Sequence, residues 1–199
     1  MGNPAVVHLI RHEKTDANLK RKYIGWTDEP IDIKEQYFNI TINPGVVYGS
    51  DLKRCIETAH LYFPQATYLP DRNLRELNFG DFEMKTYEEL RNLSLYRRWI
   101  DDPKTTTPPN GESYDDFEQR VLRSFFHIVS QNDESTFVVH GGVIRVLLFL
   151  FGPVENTFQQ IMISHRTIYS LQWPDYSELK EGKRCKLLSE EPIMAKENL

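Results

Sequence analysis

"VVHLIRHEKTDAN" (residues 6–18) begins as an apolar run of the kind that becomes a buried strand, then stops abruptly at Arg11 and His12. A chain leaving a sheet commonly turns on Gly, Asn or Asp. This one presents a permanent cation and a nitrogen nucleophile side by side. Either the pair ends a core strand with ordinary polarity, or it holds an anion at the strand's carboxyl end.

Outward from that stretch, further apolar runs read as strands: residues 5–10, 45–49, 136–140 and 167–172. Helical patterns lie between them. Residues 51–63 follow Ser50, a good N-cap. Residues 114–131 follow Ser113 and place Phe117, Val121, Phe125 and Ile128 on one face. Residues 86–100 predict a further helix, and residues 142–151 a short buried one. Strands alternating with helices of this length predict an α/β fold: an open, mostly parallel sheet with helices on both faces. The 199 residues are read as a single domain, 1–199. About 84–113 forms a helical insertion and loop, and about 174–199 a surface strand and tail.

The bulk numbers exclude several classes. Hydrophobic residues at 40% can bury a core, and a net charge of −5 argues against a nucleic-acid partner. Two cysteines, Cys55 and Cys185, are too few for a disulfide framework and fit a reducing compartment. No signal-peptide h-region can form before Arg11, and Gly2 lacks the context for myristoylation. The longest apolar stretch, 143–154, is broken by Arg145 and too short to span a bilayer. A cytoplasmic protein with no membrane partner is expected.

Each chemical motif has an ordinary structural reading when taken alone. Arg11-His12 can be strand-end polarity, Arg54 an exposed helix-face arginine, Glu76 a surface carboxylate. "HEKTD" lacks the second histidine of a zinc HExxH site, and there is no GxxxxGK or GxSxG motif. "VVHGGVIR" (138–145) carries more: a strand ends in His140, two glycines admit a ligand, and a helix begins. Ligands of open parallel sheets sit outside the strands' carboxyl ends, so His12 and His140 are candidates to share one cleft.

In order along the chain, "RHEKTDAN", "YIGWTDEPI", "SDLKRCIETA", "LRELNFGDFE", "PNGES" and "VVHGGVIR" resemble the histidine phosphatase superfamily, also called phosphoglycerate-mutase-like. The likeness spans about residues 6–146. It implies a phosphohistidine intermediate. His12 matches the nucleophile, Arg11, Arg54 and His140 the groups around the phosphoryl oxygens, and Glu76 the proton donor. Asn18, Ile24, Gly25, Gly141 and Gly142 match positions that line the pocket. Glu13 departs from the family's Arg-His-Gly. If that position needs positive φ, glutamate costs roughly 1–2 kcal/mol. Otherwise its carboxylate points away or pairs with a base such as Lys14.

These residue types suit phosphoryl transfer, which depends mainly on positioning and electrostatic stabilisation. Two guanidiniums grip phosphoryl oxygens with a fork geometry that lysine lacks, and a protonated His140 adds charge. His12 must be neutral, which neighbouring cations favour. Glu76 must begin protonated to serve a departing alkoxide, with Glu112 as the next candidate donor. The resemblance therefore implies a metal-independent phosphatase acting on a small phosphorylated molecule, with no cofactor. It looks nearest to the small phosphatases such as those acting on α-ribazole phosphate. A phosphoglycerate-type mutase and a catalytically silent phosphate-binding domain remain the alternatives. Tyr23, Trp26 and segment 84–101 are expected in the walls that set specificity.

Overall fold

A computed structural model describes residues 3–33, 37–154 and 160–196. In chain order its first elements are β1 (Ala5–Arg11), α1 (Asp16–Leu19), β2 (Phe38–Asn39), β3 (Val46–Gly49), α2 (Lys53–Tyr62) and β4 (Thr67–Pro70). Next come α3 (Tyr87–Leu90), α4 (Ser94–Asp101), α5 (Tyr114–Val129), β5 (Glu134–Val139) and α6 (Gly141–Phe151). The last are β6 (Thr167–Trp173), α7 (Tyr176–Lys180), β7 (Leu187–Pro192) and β8 (Met194–Ala195).

Six strands form one open sheet in the order β4-β3-β5-β1-β6-β7. The first four run parallel, β6 pairs antiparallel to β1, and β7 antiparallel to β6, so only β6 opposes the rest. Period-two alternation divides the apolar residues between two faces. Val7, Leu9, Phe137, Val139, Tyr169 and Leu171 face a core shared with α5 and α6. Ile10, Val47, Val138 and Ile168 face α2 through Cys55, Ala59 and Tyr62. The predicted α/β sheet with helices on both faces is therefore what the chain forms.

The register of the two central strands positions the site. Arg11 pairs with Val139, and the His12 N–H donates to the Val139 carbonyl at 2.9 Å. His12 and His140 thus leave adjacent parallel strands at the same carboxyl edge.

Several local expectations need correction. The helix expected over 86–100 is two, α3 and α4. Leu90 and Trp99 are nine residues apart, half a revolution on one straight helix, yet both are buried. The break between Leu90 and Ser94 turns both inward. Ser50 does not cap α2, because the helix starts after Leu52 and Asp28 accepts the Lys53 N–H at 2.8 Å. A remote loop supplies that acceptor. Ser113 does cap α5, accepting from the Asp116 N–H. The 167–172 run pairs antiparallel to β1. Within the tail, residues 174–196 hold α7, edge strand β7 and β8, and residues 197–199 lie outside the described residues. No helix among the described residues is long and apolar enough to cross a membrane.

Candidate active site

His12 is 3% exposed and stands edge-on to His140, ring centroids 5.1 Å apart. Its Nδ1 lies 2.6 Å from the Glu13 carbonyl oxygen. A carbonyl can only accept, so Nδ1 carries the proton and the Nε2 lone pair is unprotonated. Burial, then the guanidiniums of Arg54 and Arg11, push the His12 pKa well below 6.5. A neutral imidazole with a fixed tautomer results.

Arg54 is fully buried, not the exposed helix-face residue that its surroundings in sequence suggest. Its NH2 donates to the Gly25 carbonyl at 2.6 Å, NH1 to the Thr27 carbonyl at 2.8 Å, and Nε to His140 Nδ1 at 3.3 Å. Glu83 fastens that turn by accepting the N–H groups of Trp26 and Thr27 at 2.6 and 2.7 Å. Three of the guanidinium's five N–H donors are used, which leaves two for a ligand. The bond to His140 also corrects the protonated state expected of that histidine. With Nδ1 accepting, and with burial and Arg54 pushing its pKa well below 6.5, His140 is neutral in the free site.

Arg11 donates NH1 to the Ile163 carbonyl at 2.9 Å, and its buried Nε has no partner among the described residues. A β-carbon on Gly141 would lie 3.3 Å from that guanidinium. Glu76 sits opposite, accepting the N–H of Gly142 at 2.8 Å and of Leu77 at 3.0 Å. Gly142 stands in the first turn of α6, so the carboxylate closes a helix N-terminus. Arg120 holds the Glu76 backbone from behind, donating to the carbonyls of Asn73, Arg75 and Glu76. Glu112, the alternative acid, is engaged in a two-point pair with Arg120 at 2.6 and 2.8 Å. It is therefore a support for the Glu76 loop and not a free carboxyl group.

Arg11, Glu76, Gly141 and Gly142 line a cleft of about 400 Å³ whose far wall is Tyr23, Phe79, Trp99, Ile100 and Phe117. His12, Arg54 and His140 lie buried beside it. Trp26 is not in that wall; its Nε1 donates to the Glu76 carbonyl at 3.0 Å. Of the remaining residues expected to line the pocket, Ile24 is 7% exposed and outside the lining. Gly25 contributes its carbonyl to Arg54, and a β-carbon there would meet the Leu77 oxygen at 2.1 Å. The Asn18 side chain accepts from the Thr15 N–H and so belongs to the capping box of α1.

Two further residues near the site were not among those expected there. His165 stands edge-on to His12 at 5.8 Å and bonds the His12 carbonyl through Nδ1 at 2.8 Å. A lone histidine in "ISHRT" has no distinguishing neighbour. Arg145 lines the cleft from α6, where it interrupts an apolar run.

Comparison with known proteins places the chain in a family. The model of the histidine phosphatase superfamily (branch 1) matches residues 7–181, and the chain belongs to that superfamily. An adenosylcobalamin/α-ribazole phosphatase of Escherichia coli K12 is 34% identical over 70% of this chain and 75% of its own length. Phosphoglycerate mutase-like protein 4 of Arabidopsis thaliana is 27% identical, covering 89% of this chain and 88% of that protein. In fold, the chain is similar to the α-ribazole phosphatase of Shigella flexneri, with a TM-score of 0.70 at 24% identity over 86% and 92% of the two chains.

Proposed function

We propose that this chain is a phosphatase that hydrolyses a small phosphomonoester through a phosphohistidine at His12, without a metal. The observation that carries the proposal is the His12 tautomer: Nδ1 is committed to the Glu13 carbonyl, so Nε2 is the nucleophile. Its lone pair attacks phosphorus as the ester P–O bond breaks, and Glu76 gives its proton to the departing alkoxide. Water then attacks the phosphohistidine, Glu76 takes the proton, and His12 is restored.

Arg11 and Arg54 stabilise the phosphoryl oxygens in both steps. The unpartnered Arg11 Nε is a buried donor that costs stability unless a ligand oxygen meets it. Two guanidiniums already held at the site supply the charge for which other phosphatases recruit a cation, and they repel a divalent metal.

The aromatic wall favours a leaving group with a flat, apolar part over a compact charged one such as phosphoglycerate. Together with the α-ribazole phosphatase relatives, it supports hydrolysis over the mutase reading. A screen of phosphorylated metabolites in EDTA tests this, with α-ribazole phosphate and both phosphoglycerates included. Turnover of the ring-bearing ester to free phosphate supports the proposal. Activity that appears only with added metal, or phosphoryl exchange between phosphoglycerates without release, contradicts it.

A further inference from the structure

We propose that Glu13, the residue by which this chain departs from Arg-His-Gly, is a positioning residue that acts through Arg166 on His12 and Arg11. The inference rests on the reading of His12 as nucleophile, and its test separates the two.

Glu13 is 1% exposed and is not among the residues of positive φ, so a side chain fits there without backbone strain. Its carboxylate turns away from Arg11 and Arg54. Oε1 accepts from the Tyr62 hydroxyl at 2.5 Å and from Arg166 Nε at 2.8 Å. The partner is therefore not Lys14. The Glu13 N–H donates to Thr58 Oγ1 at 2.8 Å, and that hydroxyl donates to the Arg54 carbonyl at 2.6 Å. One residue thus joins the nucleophile's loop, the helix of Arg54 and the segment preceding β6.

That segment carries two groups that bear on the site. The Ile163 carbonyl receives Arg11 NH1, and His165 Nδ1 bonds the His12 carbonyl. Arg166, which follows directly, has φ +56, a conformation that L residues adopt only at a cost. Such an outlier persists where its surroundings over-determine it. Here the Glu13 carboxylate holds its side chain, the Phe38 ring lies 5.1 Å beneath its guanidinium, and the Ile193 N–H bonds its carbonyl. Glu13 is the buried charge in that set, so losing it releases the segment that aims His165 and Ile163.

The test uses Glu13→Gln, which keeps the shape, together with Arg166→Gln and the double variant. In the free protein, nitrogen-15 NMR of the His12 ring should show one Nδ1–H tautomer, giving way to a mixture in each variant. The burst rate of phosphorylation should fall roughly tenfold to a hundredfold, the scale set by small misplacements of reacting groups, with KM little changed. The double variant should lose no more than either single one, since both break the same link. A lowered thermal midpoint with an unchanged burst rate and tautomer would reduce Glu13 to a structural ion pair and overturn the proposal. Losses that multiply in the double variant would also overturn it. If His12→Ala still forms the covalent intermediate, the nucleophile assignment itself fails, whatever the Glu13 variants do.

Discussion

Gly142 and Glu76 meet so closely that the glycine cannot be replaced without moving the acid: a β-carbon on Gly142 would stand 2.1 Å from Glu76 Oε1. The same glycine donates its N–H to Oε2 at 2.8 Å. The helix start that follows His140 therefore fixes where the carboxyl group points.

Gly142→Ala should leave the fold intact, since Glu76 can swing into the cleft, but should displace the proposed proton donor. Phosphorylation by alkyl phosphates should fall on the order of a hundredfold, the cost of misplacing a reacting group by about 1 Å. Circular dichroism and burst kinetics measured together check this. An unfolded variant or an unchanged burst rate would contradict the assignment.

Arg54 and Glu76 should separate by leaving group. Arg54→Ala removes charge aimed at the phosphoryl group and should cost about 2.7–4 kcal/mol, or roughly 10²–10³ in rate, for good and poor leaving groups alike. Arg54→Lys should recover little, because one ammonium cannot reach Gly25, Thr27 and His140 together. Glu76→Gln should slow phosphorylation by alkyl esters far more than by nitrophenyl phosphate, whose anion departs unassisted. Equal losses in the burst phase would mean that Glu76 is not the donor.

Mild acid should destabilise the protein through its buried histidines. His8, His12, His140 and His165 all have pKa values lowered chiefly by burial, His165 to about 4. Below about pH 6.5 the unfolded chain takes up protons that the folded chain refuses, so stability falls as pH falls. The window runs from that value down to the folded pKa values, and above it these groups contribute no slope. Thermal midpoints should be level near neutrality and decline through mild acid, less steeply in His165→Asn. A midpoint that rises on acidification would contradict this.

Much of the candidate site's placement could be read from the sequence because its residues end apolar strands or open helices. The run at residues 5–11 and the strand–His–Gly-Gly pattern at 138–142 each mark a sheet edge, and the register of β1 with β5 joins them. Arg54's burial could not be read, since its partners are carbonyls of a loop remote in sequence. Neither could the two-helix insertion, whose breakpoint depends on which core Leu90 and Trp99 enter. The antiparallel course of β6 also escaped, because an apolar run carries no direction. Strand β7, "LLSEEP", is an edge strand with no fully buried residue, so its pattern is weak.

The central claim is that His12 Nε2 carries the phosphoryl group. Rapid-quench labelling with a radioactive phosphomonoester in EDTA, followed by peptide mapping and phosphorus NMR of the isomer, tests it most directly. The account predicts an acid-labile, alkali-stable phosphoryl group on His12, attached at Nε2 and absent from His12→Ala. Label on serine or aspartate, attachment at Nδ1, or an intermediate that survives in His12→Ala would contradict it.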